Sequence, residues 1–146
     1  MSGVTGDIEF TPAGATALLK GSLEDLPYTV SLKFDGLDPN GPFRMEVVSE
    51  NFQLARNPDL LPYAPRLVRK RFLSFSSPTG EFDTRLTVTR GPPVEGQPGP
   101  IAVSGLVNFN HVDAAYQKFP YRFPDLSGVI TFDDEGIELV RISGTA

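Results

Sequence analysis

His111 is the only histidine in the chain, and most hydrolytic or metal chemistry would have to turn on it. A Ser-His-Asp relay needs an imidazole as its base, yet no nucleophile elbow or comparable signature flanks any candidate serine. The chain has no cysteine, which excludes thiol nucleophiles, disulfides and thiolate metal ligands. Zinc sites draw on several His, Cys or carboxylate ligands, and one histidine leaves that set short. His111 therefore reads as a surface residue at the start of a helix. Asp133-Asp134-Glu135-Gly136 offers acids for calcium, but not at the spacing of an EF-hand loop. Asp and Gly there also suit a tight hairpin, which is the reading adopted. Glu81 and Asp83 fall on one strand face, as ordinary wet-face charges do. Neither GxxxxGK[ST] nor GxGxxG occurs, so nucleotide binding has no support. The sequence predicts no catalytic residue, no metal, no cofactor and no enzyme.

One charged cluster remains. Arg66, Arg69, Lys70 and Arg71 concentrate basic residues in a chain of net charge −5. They suit either an anionic headgroup or a solvated helix face complementing the helix dipole. The acidic balance argues against nucleic acid, which leaves a basic footprint.

The elements that must position these residues are mostly strands. The 146 residues are the length of one domain. Glycine and proline each occur 14 times, which punctuates a chain of many short strands. Tyr28, Val30, Leu32 and Phe34 alternate with Thr29, Ser31, Lys33 and Asp35, one dry face and one wet. Asp38-Pro39-Asn40-Gly41 is a turn. Phe43, Met45 and Val47 share a face, and Phe52 and Leu54 take the opposite parity, so a bulge is expected near Val47-Val48. Phe82, Leu86 and Val88 form a further stripe, as do Ile101, Val103, Val107 and Phe109. Gly91 to Gly99 reads as a flexible hairpin loop between them. The whole predicts about eight antiparallel strands in sequential hairpins.

Two segments break the rhythm. In 57–72, Pro65 suits a helix start, with Leu67, Val68, Arg71 and Phe72 on one face. In 111–119, Val112, Ala115, Tyr116 and Phe119 sit at helical spacing before Pro120. Phe119-Pro120-Tyr121-Arg122-Phe123-Pro124 then reads as an extended aromatic lead whose rings cap the end of a sheet. So small a helical complement covers little of the dry face. The remainder needs closure into a barrel, a neighbouring repeat or an apolar ligand. No apolar run approaches the ~20 residues of a membrane-spanning helix, and no basic-then-apolar leader opens the sequence.

The two ends echo each other. Gly6, Ile8, Phe10 and Gly14 recur as Gly128, Ile130, Phe132 and Gly136 at constant offset. Residues 6–22 and 128–145 each read as strand, turn, strand. Such self-similarity marks repeat architecture and predicts one β-rich domain, 1–146, belonging to a longer repeat protein.

Three stretches carry a family resemblance: Phe119-Pro120-Tyr121 with Asp125 to Phe132, then Gly136-Ile137-Glu138-Leu139 and Ile142-Ser143-Gly144. Together they resemble the AsmA-like family, whose pattern runs "fPy…l.G.i.f…gi.l..l.g". Leu60 to Phe82, a helix followed by a Pro-x-Gly turn into a strand, is similar too. The resemblance implies a curved antiparallel sheet or half-barrel in the bacterial cell envelope, on the periplasmic side of a membrane. Its apolar groove would shield or conduct phospholipid acyl chains without catalysis. Strand parity supplies the groove lining: Tyr28, Val30, Leu32, Phe34, Phe82, Leu86, Val88, Ile101, Val103, Val107, Phe109, Ile130 and Phe132. Arg66, Arg69, Lys70 and Arg71 become the headgroup contact. The resemblance implies phospholipid or a membrane surface and neighbouring repeats as partners, and an exposed strand edge at either terminus could pair in an edge-strand dimer. The alternative is a structural or protein-interaction repeat with a closed core and no ligand.

Overall fold

The computed structural model describes residues 2–23, 26–53, 69, 75–116 and 118–144. They hold eight strands: β1 (Ser2–Thr11), β2 (Gly14–Leu23), β3 (Leu26–Asp35), β4 (Phe43–Phe52), β5 (Phe75–Arg90), β6 (Ile101–Tyr116), β7 (Phe119–Phe132) and β8 (Ile137–Ser143). One open antiparallel sheet takes them in chain order. The mainly β fold of sequential hairpins is as expected. It follows from period-two patterning broken by short turns, because a hairpin fixes its own register while a crossover would need a long connection.

Two compact units share this sheet, one of Met1–Glu50 with Arg85–Gly105, the other of Asn51–Thr84 with Leu106–Ala146. In the first, β2 and β3 run in unbroken register from Gly14↔Asp35 to Leu23↔Leu26, and β3 meets β4 from Tyr28↔Ser49 to Phe34↔Phe43. The second unit holds a small core. Phe109, Val112 and Ala114 are buried, with Phe82, Leu126 and Ile130 packed against them.

Three local expectations need correction. Residues 111–119 form no helix: His111 to Tyr116 complete β6, and Phe119 opens β7. His111 adopts a left-handed φ of 50°. Such a residue shifts the strand's phase, so Phe109 and Val112, three apart, both enter the core. Beyond it Val112 and Ala114 are buried in period two and Ala115 is half-buried, so apolar residues on both strand faces produce the apparent helical spacing. Second, Val47 and Val48 keep register with Val30 and Thr29. The irregular residue is Asn51, at φ 56°, whose N–H donates to Asp83 Oδ1 at 3.0 Å. Third, the loop 91–100 folds on itself. Gly91 N–H donates to Pro100 O, and Val94 and Gln97 exchange two backbone bonds around Glu95-Gly96, both at positive φ. Of the helix expected over 57–72, only Arg69 lies within the described residues, where it is helical and exposed.

The echoed segments are the hairpins β1–β2 and β7–β8. One pair of shared glycines, Gly6 and Gly128, has a common cause. A Cβ on Gly6 would collide with the Leu18 carbonyl oxygen, and one on Gly128 with that of Arg141. In each case the carbonyl precedes the cross-strand partner, Leu19 or Ile142. At Gly128 the Phe109 ring also closes in, with Cζ 2.7 Å from where the Cβ would lie. Gly128→Ala is therefore expected to destabilise the chain by about 2 kcal/mol, the cost of overpacking a closed contact. A lowered urea midpoint with an unchanged slope would register it.

Candidate functional site

Register assigns side chains to faces in the first unit. Four cross-strand rows can be read across β1 to β4: Phe10, Ala15, Phe34, Phe43; Ile8, Ala17, Leu32, Met45; Gly6, Leu19, Val30, Val47; and, from β2 onward, Gly21, Tyr28, Ser49. All but the last residue are apolar or glycine. Phe34 and Phe43 stack tilted with centroids 5.8 Å apart, and the Arg90 guanidinium lies 4.8 Å over the Phe43 ring. Arg90 also donates to Pro39 O at 2.9 Å, tying the β3–β4 turn to β5. Ser49 is buried and donates to Pro27 O at 3.0 Å, which satisfies its hydroxyl.

The opposite face is wet. Glu9, Thr16, Lys33 and Arg44 share one row; Asp7, Leu18, Ser31 and Glu46 share the next. Glu46 pairs ionically with Arg44 at 3.6 Å and Arg85 at 3.8 Å, and Lys33 with Asp35 at 3.4 Å. These pairs are largely exposed and add little stability.

The dry face is only partly covered. Among the described residues just four apolar side chains are buried: Ala15, Phe109, Val112 and Ala114. Ile8 is 58% and Phe10 72% exposed. Of the lining residues expected, Tyr28, Val30, Leu32, Phe34, Leu86, Val88 and Val103 are half-buried in the first unit, and Ile101 is exposed. In the second unit Phe109 is buried, and Phe82, Val107, Ile130 and Phe132 are half-buried. Ile8, Phe10, Ala15, Ala17, Leu19, Phe43, Met45 and Val47 join the expected lining on this face, and their membership of it follows from register. Arg66, Lys70 and Arg71 lie outside the described residues.

A polar cluster sits in the second unit around the left-handed residues His111 and Asp125, at φ 50° and 52°. His111 Nδ1 lies 2.6 Å from Asp125 Oδ1, and since a carboxylate only accepts, Nδ1 carries the proton. Asp125 N–H donates to Asp113 Oδ1 at 3.1 Å, and Arg122 donates to Asp113 Oδ2 at 2.6 Å. Ser127 Oγ accepts, at 3.4 Å, from the His111 main chain rather than from its ring. The Ser127 hydroxyl is thus engaged by the His111 backbone, and the imidazole by the Asp125 carboxylate. No spacing signal in the sequence announces this cluster, whose members meet through β6–β7 pairing.

The Asp125 amide, and then Arg122, hold the Asp113 carboxyl below the ordinary aspartate range. A carboxyl depressed on folding contributes stability above its unfolded pKa and loses it as pH falls through the folded one. Asp113 is expected to titrate by NMR below an unstructured aspartate. Arg122→Gln should relieve only part of that depression, because the amide is the larger cause.

At 133–136 the acids shape a turn. Asp133 Oδ1 accepts from the amides of Glu135 and Gly136 at 2.8 and 2.9 Å. Among the described residues no three His, Asp or Glu side chains group so as to hold a metal ion. No described helix is long and apolar enough to cross a membrane, which does not bear on strands.

No protein-family model matches this chain, and neither a curated protein nor a solved structure matches it significantly.

Proposed function

We propose that the chain is a non-catalytic, AsmA-like envelope segment whose apolar sheet face shields phospholipid acyl chains. The observation that carries this reading is the continuous apolar face of β1 to β4, backed by a charged one and left half open. Apolar surface of that extent is stable when something replaces its water. The ten residues of β3 extend for about 33 Å, room for an acyl tail along the strand. Each methylene laid against the face would gain up to about 0.8 kcal/mol. The segment containing Arg66, Arg69, Lys70 and Arg71 has the charge to meet a phosphate headgroup. The resemblance of Phe119 to Gly144 to the AsmA-like pattern supports the same function, on the periplasmic side of a bacterial membrane.

The test is native mass spectrometry of the purified chain, with organic extraction of what it carries and incubation with phosphatidylglycerol and phosphatidylethanolamine vesicles. Bound phospholipid in stoichiometric amount is the expected result. A clean protein mass before and after incubation would sink the lipid reading in favour of a scaffold whose face packs against protein.

A further inference from the structure

We infer that β8 of one molecule pairs antiparallel with β1 of a second copy, so that this chain associates head to tail through its two sheet edges. This stands whether or not the apolar face takes a lipid.

The sheet is open, and its end strands are β1 and β8. Among the described residues β1 pairs with β2 alone and β8 with β7 alone, so each keeps one side of its backbone unpaired within the described sheet. Chains usually blunt such edges with proline, lysine or cover. Neither β1 (SGVTGDIEFT) nor β8 (IELVRIS) contains proline or lysine. Both edges instead present exposed apolar side chains: Ile8 and Phe10 on β1, Leu139 and Ile142 on β8.

Side-chain chemistry selects the pairing. On β8, Val140 is the extra residue of a bulge, so Leu139 and Ile142 share the face of Ile130 and Gly128, while Arg141 joins Val129 on the other. Setting Leu139 opposite Phe10 places Arg141 opposite Glu9, Ile142 opposite Ile8 and Ser143 opposite Asp7. Apolar then meets apolar on one face, and opposite charges meet on the other. Sliding by two residues would set Glu138 against Glu9. Like-with-like pairing is worse on both edges. Two β1 strands crossing at Ile8 put Asp7 opposite Glu9, acid on acid. Two β8 strands crossing at Val140 set two bulges against each other, where the β8–β1 register carries only one.

The experiment is sedimentation velocity of the whole 146-residue chain across a wide concentration range, with two edge variants. Ile8→Lys spoils β1 and leaves β8 intact; Leu139→Lys does the reverse. Both positions are exposed, and far-UV circular dichroism verifies the sheet. The wild type is expected to self-associate with rising concentration and to pass beyond a dimer. Each variant alone should be monomeric, its association weakened about tenfold or more by an unpaired lysine in the contact. An equimolar mixture should form a one-to-one heterodimer and stop there, since only one good junction remains. A wild type that stays monomeric overturns the inference. So does Ile8→Lys dimerising alone, which would reveal β8–β8 pairing, or a mixture that fails to combine. Should the lysine variants lose the sheet, Glu9→Arg and Arg141→Glu take their place. Each alone should weaken association about fivefold, and mixing or combining them should recover it; failure to recover also overturns the register.

Discussion

Phe109→Ala is expected to cost about 3 kcal/mol or more, the largest loss of any single truncation among the described residues. Phe109 is 6% exposed and is the largest of the four buried apolar side chains. Its ring fills the space above Gly128 and packs with Phe82, Leu126 and Ile130. Truncation removes the transfer energy of the ring and leaves a cavity that two closely spaced strands cannot collapse to fill. For a domain whose net stability is about 5–15 kcal/mol, that is a large fraction. Leu37→Ala, at a position 64% exposed, should stay within about 0.5 kcal/mol. The loss should also couple to Gly128. In a Phe109→Ala background the added methyl of Gly128→Ala no longer meets the ring, so the double variant should be more stable than the sum of the single changes predicts. Urea unfolding of the four proteins measures this directly. Strict additivity would show that the ring and the glycine are not in contact in solution.

The second large effect concerns the apolar face. Leu32→Asp places a carboxylate in the row of Ile8, Ala17 and Met45. If acyl chains lie there, affinity should fall by roughly a hundredfold, because a charge without a partner cannot be covered by hydrocarbon. Thr16→Asp is the matched control. Thr16 lies on the wet face between Glu9 and Lys33, so the same charge should leave lipid capture intact. Equal losses from both substitutions would attribute the effect to net charge rather than to the face.

Much of this architecture was legible in the amino acids. The alternation from Tyr28 to Phe34 specified both a strand and its dry side, and the structure pairs that strand on both flanks in uninterrupted register. Asp38-Pro39-Asn40-Gly41 read as a turn, and the Asp38 carboxylate accepts from the Asn40 amide at 2.9 Å there. The failures have two physical origins. A single left-handed residue adds one to the count along a strand, and at Asn51 it moved an irregularity from where parity alone placed it. Beyond His111, apolar residues occupy both faces of β6, with Val112 and Ala114 buried and Ala115 half-buried, and that dilution of period two resembled a helix. The His111, Asp113, Arg122, Asp125 and Ser127 cluster was illegible for a related reason: its members are distant in sequence, and only the β6–β7 register brings them together. The apolar contribution of β1 was overlooked because the edge strand's value as a surface depends on what lies beside it.

The order of the strands has a consequence for how the protein is made. Every strand bonds only to its neighbours in the chain, so no segment waits for a distant partner before it can pair. Contacts of short sequence separation close with little entropic cost and form early. A nascent chain leaving the ribosome could therefore zip its sheet from the amino end, one hairpin at a time. Arrest peptides placed after successive strands should report tension in steps that follow the hairpins.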